Sequence, residues 1–243
     1  MALKVLMNGA LGRMGQAIIA RAKSQGVSVI GIDKGDDPAA YLDDCDVVID
    51  FSHHTVTPVL AGLAAARGKA MVVGTTGHTE EEKATIRKAA ETIPMVWAGN
   101  YSIGVNLLFH LTELAAKILP SADYAAEIVE LHHRLKIDAP SGTAVNLLEA
   151  IERSRPTPKE AIRYGREGIT GARTEAEIAI HAVRGGDVVG EHTVYFFGDG
   201  ERVELTHRAT NRAIFASGAL TAAQWVTGKA PGIYSMQNVL GFK

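Results

Sequence analysis

From Leu3 to about Val96, short runs of β-branched and apolar residues alternate with alanine-rich stretches. These runs predict strands, at Leu3 to Met7, Val27 to Ile32, Val47 to Ile49, Ala70 to Val73 and Met95 to Trp97. Helices are predicted between them, over about 13–24, 56–67 and 79–91. The last opens with Thr79-Glu80-Glu81-Glu82, a capping hydroxyl with Glu three residues on and acids at the positive end of the helix dipole. Strand and helix alternating in this way predict parallel βαβ units, and so an α/β chain with a Rossmann-like doubly wound parallel sheet.

Beyond Asn100 the pattern changes. A helix is predicted near 104–118, a strand running into Glu130, and a second helix beginning near Ser141. Residues 154–174 are rich in Pro, Gly and Arg and predict a loop. Glu177 to Val183 then alternates at period two, followed by Thr193 to Phe197 and Arg202 to Leu205 across the turn Gly198-Asp199-Gly200. These segments predict a second, α+β domain with a mixed or antiparallel open sheet. Ala213 to Val226 returns to an alanine-rich amphipathic helix like those of the first half. The expected division is a dinucleotide-binding domain over 1–102, completed by 213–243, and a substrate domain over 103–212.

Composition narrows the function. The 243 residues allow one large or two modest domains, and 47% hydrophobic with 21% charged residues is globular composition that excludes a disordered chain. The formal charge of -2, with no long Lys/Arg run, argues against a nucleic-acid arm or a polybasic membrane anchor and favours a small-molecule partner. The first apolar run is too short for a signal-peptide core or a membrane span, so a cytoplasmic protein is expected. Cys45 is the only cysteine, which leaves no disulfide framework and no thiolate metal cluster. The carboxylates of Asp43, Asp44 and Asp46 around it disfavour its thiolate, so it is read as structural.

Gly9, Gly12 and Gly15 stand between the first strand and the first helix, where glycines let backbone approach a pyrophosphate. Their spacing is GxxGxxG rather than the commoner GxGxxG. The second strand ends at Asp33, about where an acid meets the adenosine ribose hydroxyls, and Lys34 follows it. A carboxylate favours the free diol of NAD and an ammonium the extra phosphate of NADP, so the pair suggests tolerance of NADH or NADPH. Further strand ends at Asp50-Phe51-Ser52, Val73-Gly74-Thr75-Thr76-Gly77 and Ala98-Gly99-Asn100-Tyr101 fit a ligand crevice along the carboxyl edge of the sheet.

The densest cluster of reactive side chains is Glu130-Leu131-His132-His133-Arg134-Leu135-Lys136-Ile137-Asp138-Ala139-Pro140-Ser141-Gly142-Thr143-Ala144. An imidazole at His132 or His133 can deliver a proton near neutrality, and Lys136 supplies a cation. Pro140 excludes helix at Ala139, whereas Ser141-Gly142-Thr143 can start the next helix and expose amides and hydroxyls to a carboxylate. The segment suits a substrate with one or more carboxylates.

This block resembles the signature of the 4-hydroxy-tetrahydrodipicolinate reductase (dihydrodipicolinate reductase) family. The resemblance extends to Gly9 to Gly15, Asp50-Phe51-Ser52, Gly74-Thr75-Thr76-Gly77, Asn100 to Asn106, His181 to Gly186 and Gly190-Glu191-His192. It implies that His132 donates or accepts a proton and that Lys136 is a second proton donor touching a substrate carboxylate. His133, Gly142 and Thr143 are implied as substrate ligands, with the Ser141 to Thr143 amides holding carboxylates. The implied cofactor contacts are Gly9, Ala10, Leu11, Gly12, Arg13, Met14, Asp33, Lys34, Gly74, Thr75, Thr76, Ala98, Gly99, Asn100 and Tyr101. Gly99 and Tyr101 depart from the residues common in the family, so their backbone roles transfer more safely than their side chains. The resemblance also implies hydride transfer giving tetrahydrodipicolinate with loss of water, in the diaminopimelate route of lysine biosynthesis, and a homotetramer built through the second domain's sheet. No metal is expected, since no HxxxH or HExxH spacing accompanies His53, His54, His181, His192 or His207. The competing readings are another amino-acid pathway dehydrogenase and a non-catalytic nicotinamide-binding redox regulator.

Overall fold

The computed structural model describes residues 2–242, which fall into two compact units: residues 2–103 with 212–242, and residues 104–211. In the first, β1 (Lys4–Asn8), β2 (Ser28–Ile32), β3 (Val47–Asp50), β4 (Ala70–Val73), β5 (Pro94–Trp97) and β11 (Gly232–Tyr234) form one sheet in the order β11-β5-β4-β3-β1-β2. Every pairing in it is parallel. Successive residues point to opposite faces, and both faces are covered. Val5, Met7, Ile49 and Val72 meet α1 (Arg13–Ser24) and α6 (Ala213–Val226), while Leu6, Val48, Met71 and Met95 meet α2 (Thr57–Ala66) and α3 (Glu80–Ala89). Burial on both sides is why these strands read as unbroken apolar runs rather than alternating ones.

Strand β11 and the short helix α7 (Met236–Val239) escape the sequence pattern. Three residues are too few to show a period, and β11 exists by pairing with β5 at the sheet edge. The α3 cap forms as expected: Thr79 Oγ1 accepts from the Glu82 amide at 3.2 Å and Glu82 accepts from the Thr79 amide at 2.8 Å. On α6, a Cβ at Gly218 would run into the Tyr101 carbonyl oxygen, so glycine there sets how closely this helix approaches the sheet.

The second unit holds a mixed sheet in the order β10-β9-β6-β8-β7, built from β6 (Ala125–His132), β7 (Ile162–Tyr164), β8 (Ile178–Arg184), β9 (Gly190–Gly198) and β10 (Glu201–Ala209). Strand β9 runs antiparallel to β10 and β6, while β8 runs parallel to β6 and β7. Helices α4 (Ile103–Ile118) and α5 (Gly142–Glu152) cover one face, with Leu108, Phe109, Leu147 and Ile151 on Ile128, Ile180, Val194 and Phe196. Arg155 anchors the loop beyond α5, donating to the carbonyls of Ala116, Leu119 and Tyr124 with its guanidinium over the Phe196 ring. The expected loop over 154–174 is corrected by β7, a three-residue edge strand whose flanking Pro and Gly hide it from periodicity.

Candidate functional site

At the carboxyl edge of the first sheet, the β1–α1 turn is held down by the Gly9 and Ala10 amides, which both donate to Ile32 O at 3.0 Å. Gly9 has φ +84°, and a Cβ on it would meet the Phe51 carbonyl. A Cβ on Gly15 would collide with the Gly9 carbonyl oxygen and lie 2.7 Å from Ala10 Cα. These glycines therefore bring the start of α1 onto the strand ends. That helix has neither a side-chain cap nor an acid in its first turn, which leaves its positive end open to an anion. A cavity of about 910 Å³ opens there, lined by Gly9, Gly12, Asp33, Lys34, Phe51 and Ser52 among others. A glycine cradle, open helix amides and a carboxylate at the end of β2 fit a dinucleotide.

The structure sorts the residues expected to contact cofactor. Leu11, Gly12, Arg13, Lys34, Thr76 and Gly99 are exposed, and Met14, Asp33, Gly74, Ala98 and Asn100 are half-buried. Asp33 accepts from the Leu11 and Lys34 amides, both at 2.8 Å, and these bonds hold its carboxyl below the usual range. Ala10, Thr75 and Tyr101 are buried. Thr75 Oγ1 accepts from the Ser52 amide (2.9 Å) and donates to Asp50 (3.0 Å); the Tyr101 hydroxyl lies 2.8 and 3.0 Å from the Val73 and Val96 carbonyls. Their side chains hold the strand ends in place. Asp50, fully buried, is the hub, accepting also from Asn8 (2.7 Å), Ser52 (2.5 Å) and Thr57 (2.7 Å).

In the second unit, β6 ends at His132 and the chain turns through His133 and Lys136 into α5. Glu130 and His132 are two residues apart on one strand and so share a face, the one the helices cover. Register brings two more groups to that face: Arg184 of β8 opposite His132, and His192 of β9 opposite Glu130. His132 Nδ1 donates to Glu130 Oε2 at 2.5 Å. Arg184 donates to both Glu130 oxygens at 2.9 and 2.7 Å, and the Ser141 amide donates to Oε1 at 3.0 Å. Burial pushes Glu130 up, but these donors outweigh it and leave its pKa at about 2.

Ser141 caps α5 by accepting from the Ala144 amide at 3.2 Å, and its hydroxyl also lies 3.2 Å from His192 Nε2. His192 stands edge-on to His132, with ring centroids 5.1 Å apart; burial, with a smaller contribution from His132, lowers its pKa to about 3. Gly142 is exposed, and Thr143 is half-buried on the first turn of α5. His133 Nδ1 is buried without a hydrogen-bond partner. Lys136 Nζ is bound by Asp138 at 2.7 and 2.8 Å, with its side chain 20% exposed. Glu130, His132 and His192 bring ligand-capable atoms within 4.8 Å of one another, but both Glu130 oxygens are already filled by donors. The Ser141 amide, expected to hold a substrate carboxylate, is taken by Glu130 instead, which leaves the Gly142 and Thr143 amides for that role. One edge of this unit thus gathers an oriented imidazole, an ammonium and the start of a helix, a set able to hold carboxylates and move a proton.

The sequence matches two family profiles end to end, one described as dihydrodipicolinate reductase, N-terminus, over residues 3–101 and the other as dihydrodipicolinate reductase, C-terminus, over residues 104–240. The chain belongs to the dihydrodipicolinate reductase family. Among its relatives, the 4-hydroxy-tetrahydrodipicolinate reductase of Akkermansia muciniphila is 50% identical over 245 residues, covering 98% of each chain. That of Geobacter metallireducens is 46% identical over 267 residues, covering 99% of this chain and 100% of its own. Among solved structures, the dipicolinate-bound dihydrodipicolinate reductase of Paenisporosarcina sp. TG-14 superposes with a TM-score of 0.80 at 25% identity, covering 97% of this chain and 98% of that one.

Within this reductase family the sequence reading missed the part played by Glu130 and Gly190. The signal for Glu130 was present, because a carboxylate two residues before a histidine on a strand points the same way. Gly190 lies beneath His132, where a Cβ would come 3.0 Å from Nε2. Arg184 and His192 make their hydrogen bonds inside the candidate site. Of the other histidines, His207 stands opposite His192 on β10, His181 pairs with Glu127 at 2.9 Å, and in the first unit His54 pairs with Glu82 at 2.9 Å.

Proposed function

We propose that this chain reduces 4-hydroxy-tetrahydrodipicolinate to tetrahydrodipicolinate with loss of water, in the diaminopimelate route of lysine biosynthesis. The observation that carries the reading is the convergence of His132, His133, Lys136 and the α5 N-terminus at one end of the second sheet, a proton-transfer group beside carboxylate binders. The nicotinamide, when bound, supplies the hydride. His132 delivers the proton, and Lys136 and the Gly142 and Thr143 amides hold the carboxylates, so that binding supplies orientation for the transfer. The Asp138 carboxylate now on Lys136 marks where a substrate carboxylate competes for the ammonium. His133, whose Nδ1 is buried without a hydrogen-bond partner, is taken as a further substrate ligand, as the family signature implies.

The cofactor lies along the first sheet's carboxyl edge. Gly9 to Met14 supply backbone to the pyrophosphate, and Gly74 to Thr76 and Ala98 to Tyr101 shape the nicotinamide end. Asp33 and Lys34 side by side accept either NADH or NADPH. A homotetramer assembles through the face of the second sheet that α4 and α5 leave open, where Val183 and Phe197 are 48% and 39% exposed. The protein works in the cytoplasm; among the described residues no helix is long and apolar enough to cross a membrane.

The test couples freshly generated 4-hydroxy-tetrahydrodipicolinate to oxidation of NADH and of NADPH in parallel. Both should be consumed. His132→Ala and Lys136→Ala should each lower kcat by roughly 100-fold or more with nicotinamide binding retained. Cofactor binding without oxidation by the wild-type protein would indicate a regulator instead, and unchanged turnover in both variants would overturn the residue roles.

A further inference from the structure

We infer that Glu130 is a positioning residue that fixes the His132 imidazole with its proton on Nδ1, so that Nε2, held over Gly190, is the atom that exchanges a proton with substrate. The inference rests on the proposed reductase activity and adds to it which nitrogen reacts and what aims it.

Three features of the site support it. Glu130 is completely buried, and all its bonds come from donors: His132 Nδ1, two guanidinium nitrogens of Arg184 and the Ser141 amide. An ionised carboxylate can only accept, so the ring nitrogen facing it carries a hydrogen. A neutral imidazole has one N–H, which leaves the lone pair on Nε2, the nitrogen that takes up a proton from solvent and then passes it to substrate. Second, Nε2 is the ring atom nearest to Gly190, 3.0 Å from where a Cβ would stand. Gly190 is absent from the positive-φ positions and lies at the start of β9, where backbone conformation gives no reason for glycine and strand stability argues against it. Room for His132 is the reason left.

Third, Arg184 keeps Glu130 charged and ties it to the lysine segment, since its guanidinium also donates to the Asp138 carbonyl at 2.8 Å. With its charge balanced by Arg184, Glu130 acts on His132 mainly through direction and tautomer. The same pair therefore sets the imidazole and the loop that carries Lys136.

The test is 15N NMR of histidine-labelled protein at pH 8, with the His132 signals assigned by their loss in His132→Gln. The expected result is a protonated Nδ1 and an unprotonated Nε2, and an Nε2–H tautomer overturns the inference. Glu130→Gln should give a mixture of tautomers and lower kcat by roughly tenfold or more, with the NADH dissociation constant within about twofold of wild type. Retention of both the Nδ1–H tautomer and full kcat in that variant also overturns it. Gly190→Ala leaves Glu130 intact and should lower kcat while His132 keeps its tautomer; unchanged kcat there refutes the role of Gly190. If Glu130→Gln does not fold, the wild-type tautomer and the Gly190→Ala rate decide. Because the tautomer is read without turnover, a chain with no reductase activity fails the functional reading separately.

Discussion

His192 is nearly completely buried, and burial, helped by the neighbouring His132, lowers its pKa to about 3, against a reference value of 6.5. In the unfolded chain it takes up a proton as pH falls through 6.5, and in the folded chain it does not until about 3. The unfolded state therefore binds more protons between those values, so stability falls with acidification from 6.5 and the loss levels off below about 3. At pH 4.5 the unfolded histidine is two pH units below its pKa. With 1.36 kcal/mol per unit, the loss relative to pH 7.5 is about 3 kcal/mol. The figure hardly depends on the folded value, because any pKa below about 4 leaves the native imidazole neutral at pH 4.5.

Urea unfolding of wild type and His192→Gln, at pH 7.5 and 4.5 and equal protein and salt concentration, isolates this contribution. His78, whose pKa burial also lowers, keeps its surroundings in the variant and cancels in the comparison; His207, which burial lowers too, faces His192 from β10, so both proteins are measured with His207→Gln. Glu130 adds only a few tenths of a kcal/mol at pH 4.5, since its own loss runs from 4.5 down to about 2. The variant should be the less stable protein at pH 7.5, having lost the ring contacts, yet should lose about 3 kcal/mol less on acidification. Stabilities that fall in parallel, within about 0.5 kcal/mol, would refute the assignment of a buried neutral imidazole.

Gly15→Ala places a methyl against the Gly9 carbonyl and Ala10 Cα, which are backbone and cannot turn aside; NADH fluorescence titration should show binding weakened roughly tenfold or more, with a lower Tm. Thr79→Ala removes the hydroxyl that accepts from the Glu82 amide and should cost about 1 kcal/mol, read as a fall of a few degrees in Tm. Cys45 is 2% exposed, and burial raises its thiol pKa, so native protein should resist a thiol-directed reagent that labels it in urea; rapid native labelling contradicts a structural cysteine.

The first sheet was legible because burial on both faces writes strands as continuous apolar runs, and helices between them can follow only right-handed crossovers. Strands β7 and β11 were not, since three residues carry no period and their existence depends on the pairing of Ile162 with Ile178 and of Ile233 with Met95. At the strand ends, sequence located positions but not side-chain directions. Thr75 and Tyr101 stand where a ligand loop was expected, yet their hydroxyls turn inward to Asp50 and to the Val73 and Val96 carbonyls. Asp33 is tied to the Leu11 amide, a bond 22 residues long in sequence that joins the end of β2 to the glycine turn.

The block from His132 to Thr143 could be read locally because its chemistry is local: an imidazole, an ammonium and a helix start within one short segment. What orients the imidazole is not. Glu130 was in view, but without Arg184 it is a buried carboxylate with no cation, which burial alone would protonate. Arg184 is 54 residues away and reaches Glu130 only because β6 and β8 pair with His132 opposite Arg184. A one-residue slip of that register would turn Arg184 to the other face, remove the charge that keeps Glu130 ionised, and release the His132 ring. The proton-transfer geometry is therefore a property of the sheet's register as much as of the signature segment.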